Sequence, residues 1–342
     1  MCTTPGFTAP PYHIKTPPYS PKYLPLSYCS TLLFSSLAVV DKATVKPKRS
    51  ELHTGYLGEL FQMRRISDSL KHRSKEVPVY ITLGGDLADS ANISKALSSQ
   101  NSRNSFAYLI KYITGGFFKG LHLDWDHPGG RCGDPNDTAN LQALVLNLNG
   151  TVELMLSVPP SPALVSLYNL SGIIHRLKLV IVKTHTIRQD NLLSCTGDRA
   201  DAHAAFMAIR ASVPESYRNK LAYTIQVGVD KFEPNSAVPA VTDLTSGHPG
   251  RTTYRRVCAQ YPDVEAPVGV ECRLGTFVEH GKEYQVAFAG PRELKARMRN
   301  SYADGMGSVP VVVYGLDLDD FLGRCSGGVM SPLVRAVATG GP

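Results

Sequence analysis

The sequence predicts an α/β barrel, and three observations carry that expectation. Segments of strand type alternate with segments of helical spacing along most of the chain. Such alternation argues for a parallel sheet, and the number of strand segments favours closing it over leaving it open. The 342 residues, 43% of them hydrophobic, supply the length and the core. A barrel of this class typically takes about 250 residues and tolerates insertions.

Residues 3–28 are rich in proline and tyrosine, with Pro10-Pro11 and Pro17-Pro18, and read as an extended surface loop. CSTLLFSSLAVV (29–40) is an apolar run of strand type. Leu57, Leu60, Phe61, Ile66 and Leu70 give residues 55–72 helical spacing. VPVYITLGGD (77–86) reads as a strand ending in a glycine pair, and a helix bearing Phe106, Leu109, Ile110 and Ile113 leads to FFKGLHLDWDHPGG (117–130). NLQALVLNLN (140–149) is helical. VELMLSVPP (152–160), HRLKLVIVKTHT (175–186), LAYTIQVGVD (221–230) and SVPVVVYGLDLDDF (308–321) supply the remaining strands. Residues 231–290 are rich in Gly, Pro and Tyr, and there is no internal repeat.

Composition narrows the function classes. The formal charge of +7, with KPKR at 46–49 and RR…KHRSK at 64–75, fits a solvated positive face or an affinity for anionic surfaces or glycans. Zinc-finger spacing, RNA-binding signatures and aromatic-basic interleaving are absent, so no nucleic-acid partner is expected. TLLFSSLAVV (31–40), the longest apolar run, is too short to span a membrane. MCTTPGFTAPPYHIK lacks the apolar centre of a signal peptide. Seven cysteines and the sequons at Asn92, Asn136, Asn149 and Asn169 nevertheless suit a secreted, extracellular glycoprotein. The odd cysteine count leaves at least one thiol unpaired within the chain. The sequence therefore reads as one whose leader is missing through a truncated or misassigned start.

Phe118, Gly120, Asp124, Trp125, Pro128 and Gly129 carry a family resemblance. The stretch is similar to the strand-four signature of glycoside hydrolase family 18, the chitinases. Lys119 and His122 stand in place of that signature's first two aspartates, and Asp126 in place of its glutamate. Cys29 and Phe34 resemble the family's second strand, whereas Thr31 and Ser36 depart from it. VPVYITLGGD resembles the third strand, with Asp86 where a tryptophan is usual. GHPGRTTYRRVC (247–258) and GLDLDDFLGRCSGG (315–328) match later motifs, so the likeness runs from Cys2 to about Leu333.

The resemblance implies a (β/α)8 TIM barrel over 1–230 and 291–342, with an α+β insertion at 231–290 walling the substrate groove. It places most of the first strand upstream of Met1. It also implies bridges Cys2–Cys29 and Cys258–Cys325. Cys132 and Cys195, both in loops after strand ends, are candidates for a third bridge that no motif supports, which leaves Cys272 over. Asp317, Asp319 and Asp320 read by the same likeness as a structural turn; neither a metal nor a cofactor is expected.

Alternation along HLDWD sends His122, Asp124 and Asp126 to the barrel axis and Trp125 outward to the core. The resemblance implies substrate-assisted catalysis, a departure from the two-carboxylate scheme. In it the strand-four glutamate protonates the leaving oxygen, the aspartate two residues earlier orients the acetamide, and a strand-six tyrosine holds it. Asp126 keeps the carboxyl but sits back by roughly one carbon–carbon bond, about 1.5 Å. Lys183 and His185, alternate residues on one strand face, would bring cations beside it, and His122 could pair with Asp124 or Asp126. A cation beside a carboxyl favours the ionised form, which has no proton to give. Tyr314 stands where the family places the tryptophan beneath the sugar, and can stack on a pyranose or serve the core.

These residues point to a non-catalytic, monomeric chitinase-like lectin. Asp126 is a degenerate acid beside Asp124, while His122, Lys183, His185 and Tyr314 line the groove. Its ligand would be chitin or a related N-acetylglucosamine glycan, with an anionic glycan as a second candidate. Two rivals stay open: a weakly active chitinase using Asp126, and a growth-factor-like or structural relative with a vestigial pocket.

Overall fold

The computed structural model describes residues 1–5, 21–41, 44–47, 77–85, 87–126, 128–129, 133–187, 195, 199–233, 250–258, 261, 271–279, 281–325 and 327–341. The helix expected at 55–72, Asp86 and Cys132 lie outside them. The chain divides into two compact units.

The first unit holds residues 1–21, 30–183 and 205–223. Its strands are β1 (Cys2–Pro5), β2 (Leu32–Asp41), β3 (Thr44–Pro47), β4 (Val79–Gly84), β5 (Gly120–Asp124), β6 (Glu153–Val158), β7 (Leu179–Val182) and the first half of β8 (Leu221–Gln226). β2, β4, β5, β6, β7 and β8 follow one another in parallel, β1 pairs in parallel with β2, and β3 turns back antiparallel on β2. Helices α1 (Leu87–Leu97) and α2 (Gln100–Phe117) separate β4 from β5, and α3 (Asp137–Leu148) separates β5 from β6. This alternation is that of the expected α/β barrel.

Local sequence explains these elements. Every residue of β4 and β5 is buried, as parallel strands covered on both faces require. On α2, Phe106, Ile110 and Ile113 repeat at helical spacing and are buried. Each such side chain contributes about 1.5–3 kcal/mol relative to exposure. Ser99 begins α2 by accepting the Ser102 N–H on its hydroxyl, satisfying a donor that has no partner within the helix.

Residues 22–29, 184–204 and 224–342 make the second unit. It contains the rest of β8, hydrogen-bonded to β13 (Val311–Tyr314). A four-stranded antiparallel sheet is ordered β10-β9-β12-β11, from β9 (Val229–Phe232), β10 (Arg251–Thr252), β11 (Arg273–Glu279) and β12 (Lys282–Phe288). α4 (Arg199–Ser212) runs from this unit into the first, and α5 (Pro291–Ser301) and α6 (Pro332–Thr339) follow β12 and β13. The acidic turn is structural, as expected. Asp319 accepts the N–H groups of Leu333 and Val334 at the start of α6, and Asp320 accepts that of Cys325.

Four expectations need correction. Residues 3–5, read as the start of a surface loop, belong to a strand, Cys2–Pro5, paired in parallel with β2. The 175–186 segment is a strand only over Leu179–Val182, with helical turns at Ile174–Arg176 and Thr184–Thr186. LAYTIQVGVD is two strands in two sheets, broken at Gly228, whose φ of +117° suits glycine and whose Cβ would lie 2.7 Å from Leu318 Cβ. Finally, Cys195 is bridged to Cys272 rather than to Cys132, their Cα atoms 5.8 Å apart. Cys258 bridges Cys325 as expected. Cys29 is disulfide-bonded too.

Candidate functional site

The site begins at the paired ends of β4 and β5. Gly84 pairs with Asp124 and Thr82 with His122. Gly84 has φ +93°, and a Cβ there would stand 2.2 Å from the Asp124 carbonyl oxygen. Only glycine allows this approach, and it sets the depth at which β5 ends. Beyond that end the chain continues through Trp125 to Asp126.

Lys183, the residue after β7, extends its side chain to both acids. Its Nζ lies 2.9 Å from Asp124 Oδ1 and also donates to Asp126 Oδ1. The side chains of Lys183 and Asp124 are only 8% and 11% exposed, and that of Asp126 is 26% exposed. Burial alone would lower the pKa of the ammonium. The charges and hydrogen bonds of Asp124 and Asp126 outweigh it and hold Lys183 well above its ordinary pKa.

His122 differs from the expectation. It is buried, but its partners are hydroxyls rather than carboxylates: Nδ1 lies 3.0 Å from Thr82 Oγ1 and Nε2 2.7 Å from Ser157 Oγ. Burial depresses its pKa to about 4, opposed by Asp124 and reinforced by Lys183. The imidazole is therefore neutral near pH 7. Among the described residues of this unit, Lys183 is a cation beside both acids.

In the second unit, His185 and Tyr314 come together. Their rings stack with centroids 4.2 Å apart and planes 23° from parallel. His185 sits on the helical turn Thr184–Thr186, so strand alternation does not govern its direction. Its N–H donates to Thr224 Oγ1 at 2.9 Å, and Nδ1 lies 2.8 Å from the same oxygen. One face of Tyr314 is thus already covered by an imidazole. Trp125 is a core residue, as expected, and its carbonyl accepts the Tyr168 hydroxyl. Lys119 takes no part in the acid cluster: it is 55% exposed and pairs with Glu153 at 2.9 Å.

Thr82, Ser157 and Thr224 are the polar groups the sequence reading missed. Thr82 and Ser157 were visible as aliphatic hydroxyls in the largely apolar strands VYITLG and ELMLSV. A buried polar residue in such a strand needs a partner, and that requirement was the available signal. Among the described residues no cluster of His, Cys, Asp and Glu could hold a metal, and no helix is long and apolar enough to cross a membrane.

Comparison with known proteins gives one concordant picture. The family model described as glycosyl hydrolases family 18 matches residues 10–301. A Margaritifera margaritifera protein named "Putative chitinase 1" is 23% identical, the alignment covering 94% of this chain and 72% of that protein. Among solved structures, the Ostrinia furnacalis Group IV chitinase in complex with allosamidin has a TM-score of 0.73 at 15% identity, covering 95% of both chains. Human YKL-39, described as a pseudo-chitinase with retained chitooligosaccharide binding, has a TM-score of 0.69 at 15% identity, covering 94% of each. These likenesses establish the (β/α)8 barrel fold.

Proposed function

The chain belongs to glycosyl hydrolases family 18, and from that premise we propose that it is a chitinase-like lectin that holds N-acetylglucosamine oligosaccharides without cleaving them. The observation that carries this reading is the Lys183 ammonium donating to both Asp124 and Asp126. A general acid has to hold a proton and release it to the leaving oxygen. Protonating Asp126 would set a neutral acid against a buried ammonium and forfeit the ion pair. Asp124, which would have to steady the positive charge developing on the substrate's acetamide, is engaged by the same cation.

Ligand class follows from charge and from relatives. Among the described residues, Asp124 and Asp126 share the Lys183 ammonium, a pairing that does not suit an anionic glycan and leaves a neutral one as the better fit. YKL-39 combines a pseudo-chitinase description with chitooligosaccharide binding in the same fold. Extracellular location agrees with the disulfides Cys195–Cys272 and Cys258–Cys325. Calorimetric titration with chitotetraose, beside a fluorogenic chitobioside assay, tests the proposal. Binding without turnover is expected. Turnover that vanishes in Asp126→Ala would establish a chitinase instead, and neither binding nor turnover would point to a vestigial pocket.

A further inference from the structure

The four sequons, Asn92-Ile93-Ser94, Asn136-Asp137-Thr138, Asn149-Gly150-Thr151 and Asn169-Leu170-Ser171, are alike in sequence and unlike in the fold. N-glycosylation attaches a bulky, solubilising group to Nδ2 of the asparagine. The transfer meets the chain before folding is complete, so the tripeptide alone does not decide the outcome. A folded molecule keeps a glycan only where that nitrogen faces water.

Two of the four do not meet this condition. Asn92 lies half-buried within α1, and its Nδ2 donates to the Val39 carbonyl of β2 at 2.7 Å. A sugar on that nitrogen would have to displace the strand to which it is bonded. The rest of the tripeptide is packed as well: Ile93 is fully buried, and the buried Ser94 hydroxyl donates to Asp137 Oδ1 at 2.9 Å. Asn169 is half-buried in a left-handed conformation, φ +47°. Its Oδ1 accepts the Ser171 hydroxyl at 3.2 Å. Its Nδ2 lies so close over Gly172 that a Cβ there would stand 3.1 Å away.

Asn136 and Asn149 are different. Both are exposed, and neither side chain makes a hydrogen bond with a described residue. Their backbones are nonetheless fixed. The Asn136 N–H donates to Asp134 Oδ1 at 2.8 Å, and its carbonyl accepts the Asn140 N–H in the first turn of α3. Asn149 closes the other end of α3, its N–H donating to the Leu146 carbonyl at 3.3 Å. Gly150 follows with φ +75°, and a Cβ there would meet nothing within 4 Å. Because α3 runs from the carboxyl end of β5 to the amino end of β6, the two asparagines lie toward opposite ends of the strands. Asn136 is at the end that carries Asp124 and Asp126.

We infer that Asn136 and Asn149 carry N-linked glycans while Asn92 and Asn169 stay bare, so that sugar brackets α3 at both ends. The inference rests on the extracellular location within the proposed function and is independent of the ligand.

The full chain, secreted from cultured animal cells behind a heterologous leader, is mapped by peptide mass spectrometry with and without peptide N-glycosidase. Chitotetraose binding is measured on the same preparation. Glycan is expected at Asn136 and Asn149 on most copies, with unmodified asparagine at 92 and 169. Asn136→Gln and Asn149→Gln should each remove one of two mobility steps released by the enzyme, and the pair should remove both. Thr151→Ala should remove the Asn149 step without touching the asparagine, whereas Thr151→Ser keeps the tripeptide and should keep the step. A glycan at Asn92 or Asn169 on the secreted protein overturns the inference, as does bare asparagine at 136 or 149. The expected glycan pattern without chitotetraose binding removes the proposed ligand and leaves this inference standing. Chitotetraose binding by a secreted chain bare at all four positions does the reverse.

Discussion

Lys183 and Asp124 are joined across an intervening strand: Nζ of the first lies 2.9 Å from Oδ1 of the second, although β6 separates β5 from β7 in the sheet. Both side chains are buried. The pair therefore ties non-adjacent strands through the interior, and its stability is bound to the state of Asp126, which shares the ammonium.

Removing that ammonium leaves two carboxylates at one site. Lys183→Met keeps the aliphatic stem and is expected to lower unfolding free energy by about 3–5 kcal/mol at pH 7. The deficit should shrink as pH falls, because a proton taken up by the acids relieves their repulsion. In the native protein the sign is opposite. Lys183 is raised above its ordinary 10.5, so its contribution is complete below that value and is lost only as pH climbs through the higher folded one. Denaturant unfolding at pH 5 and 7 measures the first, and a series carried above pH 10.5 the second; equal stability of variant and native protein throughout would refute the pairing.

His122 gives the acid limb. Its folded pKa of about 4 lies below the ordinary 6.5, so neutral His122 contributes fully above 6.5 and its contribution is lost as pH falls toward 4. The difference amounts to about 3 kcal/mol. A nuclear magnetic resonance titration should find the ring neutral at pH 5. A midpoint near 6.5 would mean that the ring is not buried in solution.

Gly84→Ala tests the close approach that positions Asp124. The methyl group would meet the Asp124 carbonyl oxygen in a backbone conformation with φ +93°, at a cost of about 2 kcal/mol or more. Melting temperature and chitotetraose affinity should fall together. A variant as stable as the native protein would show that β4 can withdraw from β5 freely.

The Cys195–Cys272 bridge spans 77 positions in the second unit. Replacing both cysteines with serine should destabilise the protein by about 4.5 kcal/mol, the chain-entropy value for a loop of that length. Thermal melting with and without reductant reads it, and an unchanged melting temperature would contradict a structural role.

Parallel strands buried on both faces are legible where nearly every residue is apolar, and β4 was found for that reason, whereas β5, which carries His122 and Asp124, was placed by its likeness to the family signature. Asp124, Asp126 and Lys183 could be placed together because strand alternation and the family frame agreed on their direction. His122 could not be paired correctly from its own strand, since Thr82 and Ser157 arrive from neighbouring strands 40 and 35 residues away. Hydroxyls satisfy both ring nitrogens without the cost of a buried imidazolium. The Cys195 partner was hidden for a related reason. Disulfide pairing depends on a Cα separation that sequence spacing does not record.

The most direct measurement is hydrolysis of a fluorogenic chitobioside by the purified chain at pH 5, set beside Asp126→Ala. With Asp126 engaged by Lys183, the two proteins are expected to release fluorophore at the same background rate. Release by the native chain that disappears in Asp126→Ala would contradict the account, because it would mean that Asp126 delivers a proton despite the ammonium beside it.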